Sequence, residues 1–210
     1  MRLFVLGASG SVGSILLREA TLRGHSITAQ TRNADKLAKT AAVNVVVGSP
    51  TDRSFLSRHM DGHDAVILCV GIDSIGGTTT LFSETARAVV TAMQASGVRR
   101  LLAITGICAG ETRGHGGWFY NWIIYPLFTR NRYADKDRQE TIIEAADLDW
   151  TIVRPAPFVK RSGVGPLQVL TEIPNGLQLR SITRAEVADF ILESVDKGIF
   201  IRQKPFIGHS

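Results

Sequence analysis

Leu3-Phe4-Val5-Leu6 runs directly into Gly7-Ala8-Ser9-Gly10-Ser11-Val12-Gly13, and an apolar helical pattern follows. A buried strand, a glycine-rich turn and a helix start, in that order, form a cradle for a dinucleotide pyrophosphate. Gly7 permits the tight turn, Gly10 lets the backbone approach the phosphates with no Cβ in the way, and Gly13 lets the helix pack closely on the strand. Ser9 lies inside the cradle. The N–H groups of the first helical turn, near Ser11 and Val12, face the anion along a favourable dipole. Glycines also close ordinary turns, so the strand before them and the helix after them carry the weight.

Outward from this turn, apolar runs alternate with helical patterns in a βαβ rhythm, which predicts an α/β fold with a parallel sheet covered on both faces. Strands are expected at 2–6, 26–31, 43–48, 65–70, 100–105 and 150–153, with a short last one near 205–207. Helices are expected at 12–23, 34–41, 53–60, 79–96, 134–147 and 184–196 by their periodicity. Gly24 and Gly97 suit positions just past a helix end, Asp52 suits the cap of the helix from Arg53, and Thr183 with Glu186 suits a capping box. Residues 106–117 read as a loop after the fifth strand. The aromatic stretch from Trp118 to Phe128 is too short to span a bilayer as a helix. It could be a buried connecting helix, a pocket wall or an oligomer interface.

The 210 residues suffice for one α/β domain, and a single domain over 1–210 is expected. Hydrophobic residues make up 44% and charged residues 20%, which places the chain among globular proteins. The glycine turn interrupts the opening apolar run, so no secretory signal is expected and the cytoplasm is the expected location. Cys69 and Cys108 show no metal-ligand spacing and read as reduced core thiols. The net charge of +5 comes with scattered arginines and no nucleic-acid recognition motif, so it fits a phosphate-rich cofactor better than nucleic acid.

The second strand ends Ile27-Thr28-Ala29-Gln30-Thr31-Arg32-Asn33, with no acid before Asp35. An acid at this point would bond a ribose 2′-OH, whereas an arginine suits a 2′-phosphate, so Arg32 argues for NADP over NAD. At the fourth strand, Val70-Gly71 fits close passage of a ligand across the sheet edge. Residues 49–52 could approach the adenine.

Together with the glycine turn and Val70-Gly71, the segment Leu148-Asp149-Trp150-Thr151-Ile152-Val153-Arg154-Pro155 and the late Ser181-Ile182-Thr183-Arg184-Ala185-Glu186-Val187-Ala188 resemble the atypical short-chain dehydrogenase/reductases. Within them the chain is similar to the NmrA-like NAD(P)H-binding group, and there to the biliverdin-IXβ/flavin reductases and NADH-flavin reductases. The resemblance implies a Rossmann-type doubly wound parallel sheet with a small C-terminal substrate region. It also implies hydride transfer from NADPH to a flavin, quinone or similar planar acceptor.

Catalytic residues carry over less fully. The superfamily uses a Ser or Thr after the fifth strand and a Tyr-x-x-x-Lys pair on the next helix. Here Thr105 ends the fifth strand, while Tyr133 and Lys136 are spaced by three rather than four, which still places them on one helix face. Lys136 with Glu140 matches the family's lysine-then-glutamate pattern, and Lys136 is expected both at the cofactor and in catalysis. Pro155 and Ala156, in Arg154-Pro155-Ala156-Pro157, are expected to shape the nicotinamide pocket or to form a rigid turn. His115, in a glycine-rich loop, could donate a proton or be a loop residue only. The imperfect Tyr-Lys spacing leaves open a non-catalytic NADP(H) sensor acting through a protein partner, while the short chain speaks against a nucleotide-sugar epimerase. No membrane partner is expected, and a monomer and a homodimer are both compatible with the sequence.

Overall fold

The computed structural model describes residues 1–37, 42–72, 79–107, 109, 130–161, 165–172, 174 and 177–210. Cys108, His115 and the Trp118–Phe128 stretch lie outside them. In chain order the elements are β1 (Arg2–Leu6), α1 (Gly13–Leu22), β2 (Ser26–Thr31), β3 (Val43–Val47), α2 (Arg53–Met60), β4 (Ala65–Leu68), α3 (Leu81–Ser96), β5 (Arg100–Ile104), α4 (Arg130–Glu144), β6 (Asp149–Pro155), β7 (Phe158–Val159), β8 (Gln168–Leu170), β9 (Ile182–Thr183), α5 (Arg184–Asp196) and β10 (Phe206–Gly208).

The main sheet has the order β3-β2-β1-β4-β5-β6-β10-β8. Its first six strands are parallel in the doubly wound arrangement, whose crossover lies between β1 and β4. Strand β10 extends it in parallel beside β6, and β8 closes that edge antiparallel. A small second sheet pairs β7 with β9, Phe158 opposite Ile182.

Alternation along β1 divides the core. Leu3 and Val5 face α1 and α5, packing with Leu16, Ile191 and Val195. Phe4 and Leu6 face the other way, onto Phe55, Leu56 and Met60 of α2 and Val89 and Met93 of α3. This period of two, with both sides apolar, is why the strand reads as a continuous hydrophobic run.

Several helix ends have the chemistry expected of them. Asp52 accepts from the N–H groups of Ser54 and Phe55, and Thr183 and Glu186 complete a reciprocal capping box on α5. Gly24 and Gly97 both have positive φ just past a helix. Helix α3 is capped differently. Its N-cap Thr80 contributes no side-chain bond. Instead Asp135 of α4, fully buried, accepts from Phe82 N–H at 2.8 Å and from Ser83 Oγ at 2.5 Å. Helix α5 is seated at its far end by Arg100, which donates to the carbonyls of Ser194 and Ile199. Burial pushes the Arg100 guanidinium down to about 10, so it stays cationic at neutral pH.

Strands β7, β8 and β9 were not expected from the sequence, β4 ends at Leu68 rather than 70, and three further differences have a local cause. The helix expected at 34–41 is only a 3₁₀ turn over Ala34–Lys36, because the Asn33 side chain accepts from Asp35 N–H and holds a tight local turn; 38–41 lie outside the described residues. The helix expected at 134–147 runs from Arg130 to Glu144. A tighter turn, with Ala146 N–H bonded to Ile143 O, ends it. Strand β6 continues past 153 to Pro155 because β10 pairs with its end. No helix among the described residues is long and apolar enough to cross a membrane.

Candidate functional site

At the carboxyl ends of the parallel strands lies a cleft of ≈ 410 Å³, where open α/β sheets bind their ligands. It brings together Gly7, Ser9, Gly10, Ser11 and Val12 from the first turn, Arg32 from the end of β2, Val70 and Gly71 after β4, Thr105 after β5 and Lys136 from α4. These were all expected in the site. Pro50, Leu81 and Phe158 also line it.

The glycine turn is shaped by sterics. Gly7 has φ +76°, and a Cβ there would stand 2.7 Å from the Cys69 carbonyl carbon. Gly13 contributes from behind: a Cβ on it would stand 2.4 Å from Gly7 O, so α1 can start only this close to the turn without a side chain. Gly13 therefore shapes the cradle and does not line the cleft.

Polar side chains then fix the turn. Gly7 N–H donates to Gln30 Oε1 at 2.9 Å, Gln30 Nε2 donates to Gly48 O at 2.6 Å, and Ala8 N–H donates to Gln30 O at 3.1 Å. Thr31 Oγ1 lies 3.0 Å from Ser9 Oγ. Gln30 is 1% exposed, so a polar residue in a buried strand was the available sequence signal for its role.

Charge among the described lining residues of the cleft has one sign. These residues include Arg32, Lys36 and Lys136 and no carboxylate. Arg32 is exposed and forms no ion pair with the described residues, and the 3₁₀ turn brings Lys36 to the same end. Sequence reasoning passed over Lys36 because a helix was expected there.

At the opposite end, Lys136 Nζ donates to Thr105 O and lies 5.3 Å from the Phe82 ring centroid. The Thr105 hydroxyl donates to Glu140 Oε1 at 2.6 Å, and Arg154 grips the same carboxylate through Nε at 3.2 Å and Nη2 at 2.6 Å. The proton of Thr105 is thereby directed into the protein. Tyr133, expected beside the substrate, is 8% exposed and packed in the core without lining the cleft. Its hydroxyl lies beside Gly106, where a Cβ would stand 3.0 Å from it, and Lys136 Nζ lies 5.5 Å from its ring centroid, so the three-residue spacing keeps the two side chains together.

Pro155 and Ala156 are likewise withdrawn. Pro155 is buried in β6, where its carbonyl accepts from Ile107 N–H, and Ala156 packs against Gly208. Neither is among the described residues lining the cleft, whereas the exposed Phe158, close after them in the chain, is. Cys69 is 8% exposed, and burial pushes its thiol up to about 12, so it is no nucleophile at neutral pH.

That shift has a stability consequence. The unfolded thiol ionises near 9.0 and the folded one near 12, so ionisation favours the unfolded chain between those values. The contribution is full below about pH 9 and falls by about 1.4 kcal/mol per pH unit as pH rises towards 12. Urea unfolding at pH 8, 9.5 and 10.5 should show wild type losing stability faster than Cys69→Ala; parallel losses would remove Cys69 from the account.

A family model described as NAD(P)H-binding matches residues 7–198, and the chain belongs to that family. It is 27% identical over 207 residues to a Bacillus subtilis (strain 168) protein described as the uncharacterized sugar epimerase YhfK, covering 94% of this chain and 89% of that one. Among solved structures it is similar to ChuY, described as an anaerobilin reductase from Escherichia coli O157:H7, with a TM-score of 0.81 at 20% identity over 100% of this chain and 97% of that chain. It is also similar to a wide-type short-chain dehydrogenase/reductase from Veillonella parvula DSM 2008 in complex with NADP, with a TM-score of 0.81 at 15% identity over 99% and 94% of the two chains. At these identities the structural likenesses speak for the fold.

Proposed function

We propose that this member of the NAD(P)H-binding family is a reductase that uses NADPH and passes hydride to a flavin, quinone or similar planar acceptor. The observation that carries the proposal is the cleft's charge: three cations and no carboxylate among its described lining residues. The residues present fit NADPH. The first turn of α1 and the glycine cradle suit the pyrophosphate, and Arg32 with Lys36 suits a 2′-phosphate. A Cβ added at Gly71 would meet no described atom within 4 Å, so the backbone there leaves room for a ligand. No acid stands ready at β2 for a free ribose 2′-OH.

When bound, NADPH supplies the hydride. This chain's residues bind and orient. Lys136 places a cation at the acceptor end of the cleft, where it would steady negative charge developing on the acceptor. Neither Thr105, whose proton goes to Glu140, nor the withdrawn Tyr133 is set to protonate a substrate there. Such a site suits acceptors whose reduced forms take their protons from water, as flavins and quinones do, and relies on proximity.

That neither Thr105 nor Tyr133, among the described residues, is set to donate a proton favours a second reading, an NADP(H) sensor that performs no turnover and reports through a protein partner. One assay separates them: NADPH or NADH with FMN, riboflavin and menadione, following loss of nicotinamide absorbance. Turnover with preference for NADPH is expected. Arg32→Ala should lower that preference roughly 10- to 100-fold, the effect of one charge-assisted phosphate contact of about 1.5–3 kcal/mol. Tight NADPH binding without turnover on any acceptor would leave the sensor standing, and an unchanged preference in the variant would release Arg32 from its role.

A further inference from the structure

Arg184 is the first residue of α5, and its guanidinium carbon lies 4.7 Å from the centroid of the Phe158 ring. That ring lines the cleft just past β6, next to the end of β5 where Lys136 meets Thr105, whereas Arg32 follows β2 on the other side of β1; Arg184 itself is not among the lining residues. Arg184 Nε is buried without a hydrogen-bond partner, and Arg184 makes no ion pair among the described residues. The nearest carboxylate in sequence, Glu186, is engaged by Thr183 and by His209 at 2.9 Å.

A cation in the first turn also opposes the helix dipole, so α5 gains nothing from it as a helix. Stacking on an aromatic face holds a guanidinium in one plane while leaving its edge N–H groups free to take a flat anion. Lys160 and Arg161 follow Phe158 in sequence, both exposed, and add positive charge at that rim.

We propose that Arg184, stacked on Phe158 at the acceptor end of the cleft, reads an anionic substituent, phosphate or carboxylate, on the planar acceptor. Phe158 offers the acceptor's ring an apolar edge, and Arg184 selects the members of the class that carry a charged tail. The inference rests on the reductase reading for the position of the acceptor, but its test needs no turnover.

Protein saturated with NADP⁺ is titrated by calorimetry with FMN and with riboflavin, which share one ring system and differ in the phosphate. A second pair, anthraquinone-2-carboxylate and its neutral carboxamide, asks the same of a carboxylate. Wild type should bind the anionic member about tenfold more tightly in at least one pair, and that pair identifies the tail. Arg184→Gln should erase the preference while leaving the neutral member's affinity and the melting temperature unchanged, and Arg184→Lys should restore part of it. Added salt should narrow the wild-type preference.

No wild-type preference, a preference that survives Arg184→Gln, or equal weakening of both members would overturn the proposal, the last because a latch on Phe158 would act on both alike. Failure to bind any of the four also overturns it. A protein that shows the preference yet reduces nothing keeps this inference and loses the reductase reading; one that reduces neutral and anionic acceptors equally does the reverse.

Discussion

Arg154→Met should lower folding stability by about 3–5 kcal/mol, the cost of leaving a buried carboxylate without its counter-charge. Arg154 and Glu140 are each 3% exposed and joined by two hydrogen bonds, with Thr105 donating to the same carboxylate. Removing the arginine strands Glu140 between β5 and β6, where water cannot replace it. The double change Arg154→Met with Glu140→Leu removes both charges and should recover most of the loss, because a buried pair replaced by apolar groups is often close to neutral. Urea unfolding of the two singles and the double closes the cycle. Additive losses would mean that the pair does not act as a unit. Since Glu140 also ties α4 to the end of β5, the single variants should weaken NADPH binding through Lys136, one turn earlier on the same face.

The second large effect is expected at Gly7. Alanine there would hold a left-handed conformation at φ +76°, costing about 1–2 kcal/mol. Its Cβ would also meet Cys69 C and O at 2.7 Å and Val70 Cα at 2.8 Å, all backbone atoms that cannot rotate away. The turn must then separate from the end of β4, and a total loss of about 3 kcal/mol or more is expected, as for other overpacked sites. NADPH binding should fall with it, since Gln30 can no longer hold the amide of residue 7 in place. Gly71→Ala is the internal comparison: with no described atom within 4 Å it should melt within a degree or so of wild type. Equal melting of the two variants would show that the turn has freedom the packing denies it.

How much of this was legible beforehand follows from the range of each interaction. β1, the glycine turn and α1 are contiguous, and their signals are local: an apolar run, spaced glycines, a helical period. The capping box at Thr183 and the Asp52 cap are also local, and both were readable from three or four residues. Arg32 was readable because its strand fixes where it ends. The polar supports were not. Gln30 acts on Gly7 across 23 positions, Glu140 on Thr105 across 35 and Asp135 on Phe82 across 53. No periodicity reports which backbone amide a distant side chain will meet. Tyr133 and Lys136 share a helical face, as their spacing implied, but a face alone does not say which of two neighbours reaches the cleft. Phe158 was missed because the prolines before it drew attention to the turn, whereas β6 absorbs the first of them and β7 presents the ring.

The cap that α4 lends to α3 has a consequence for motion. First-turn amides of a helix ordinarily exchange their hydrogens quickly, since nothing within the helix accepts from them. In this protein Phe82 N–H ends on a buried carboxylate of another helix, so its protection lasts only while α4 is seated. Exchange at Phe82 thus reports the separation of the start of α3 from the helix that carries Lys136.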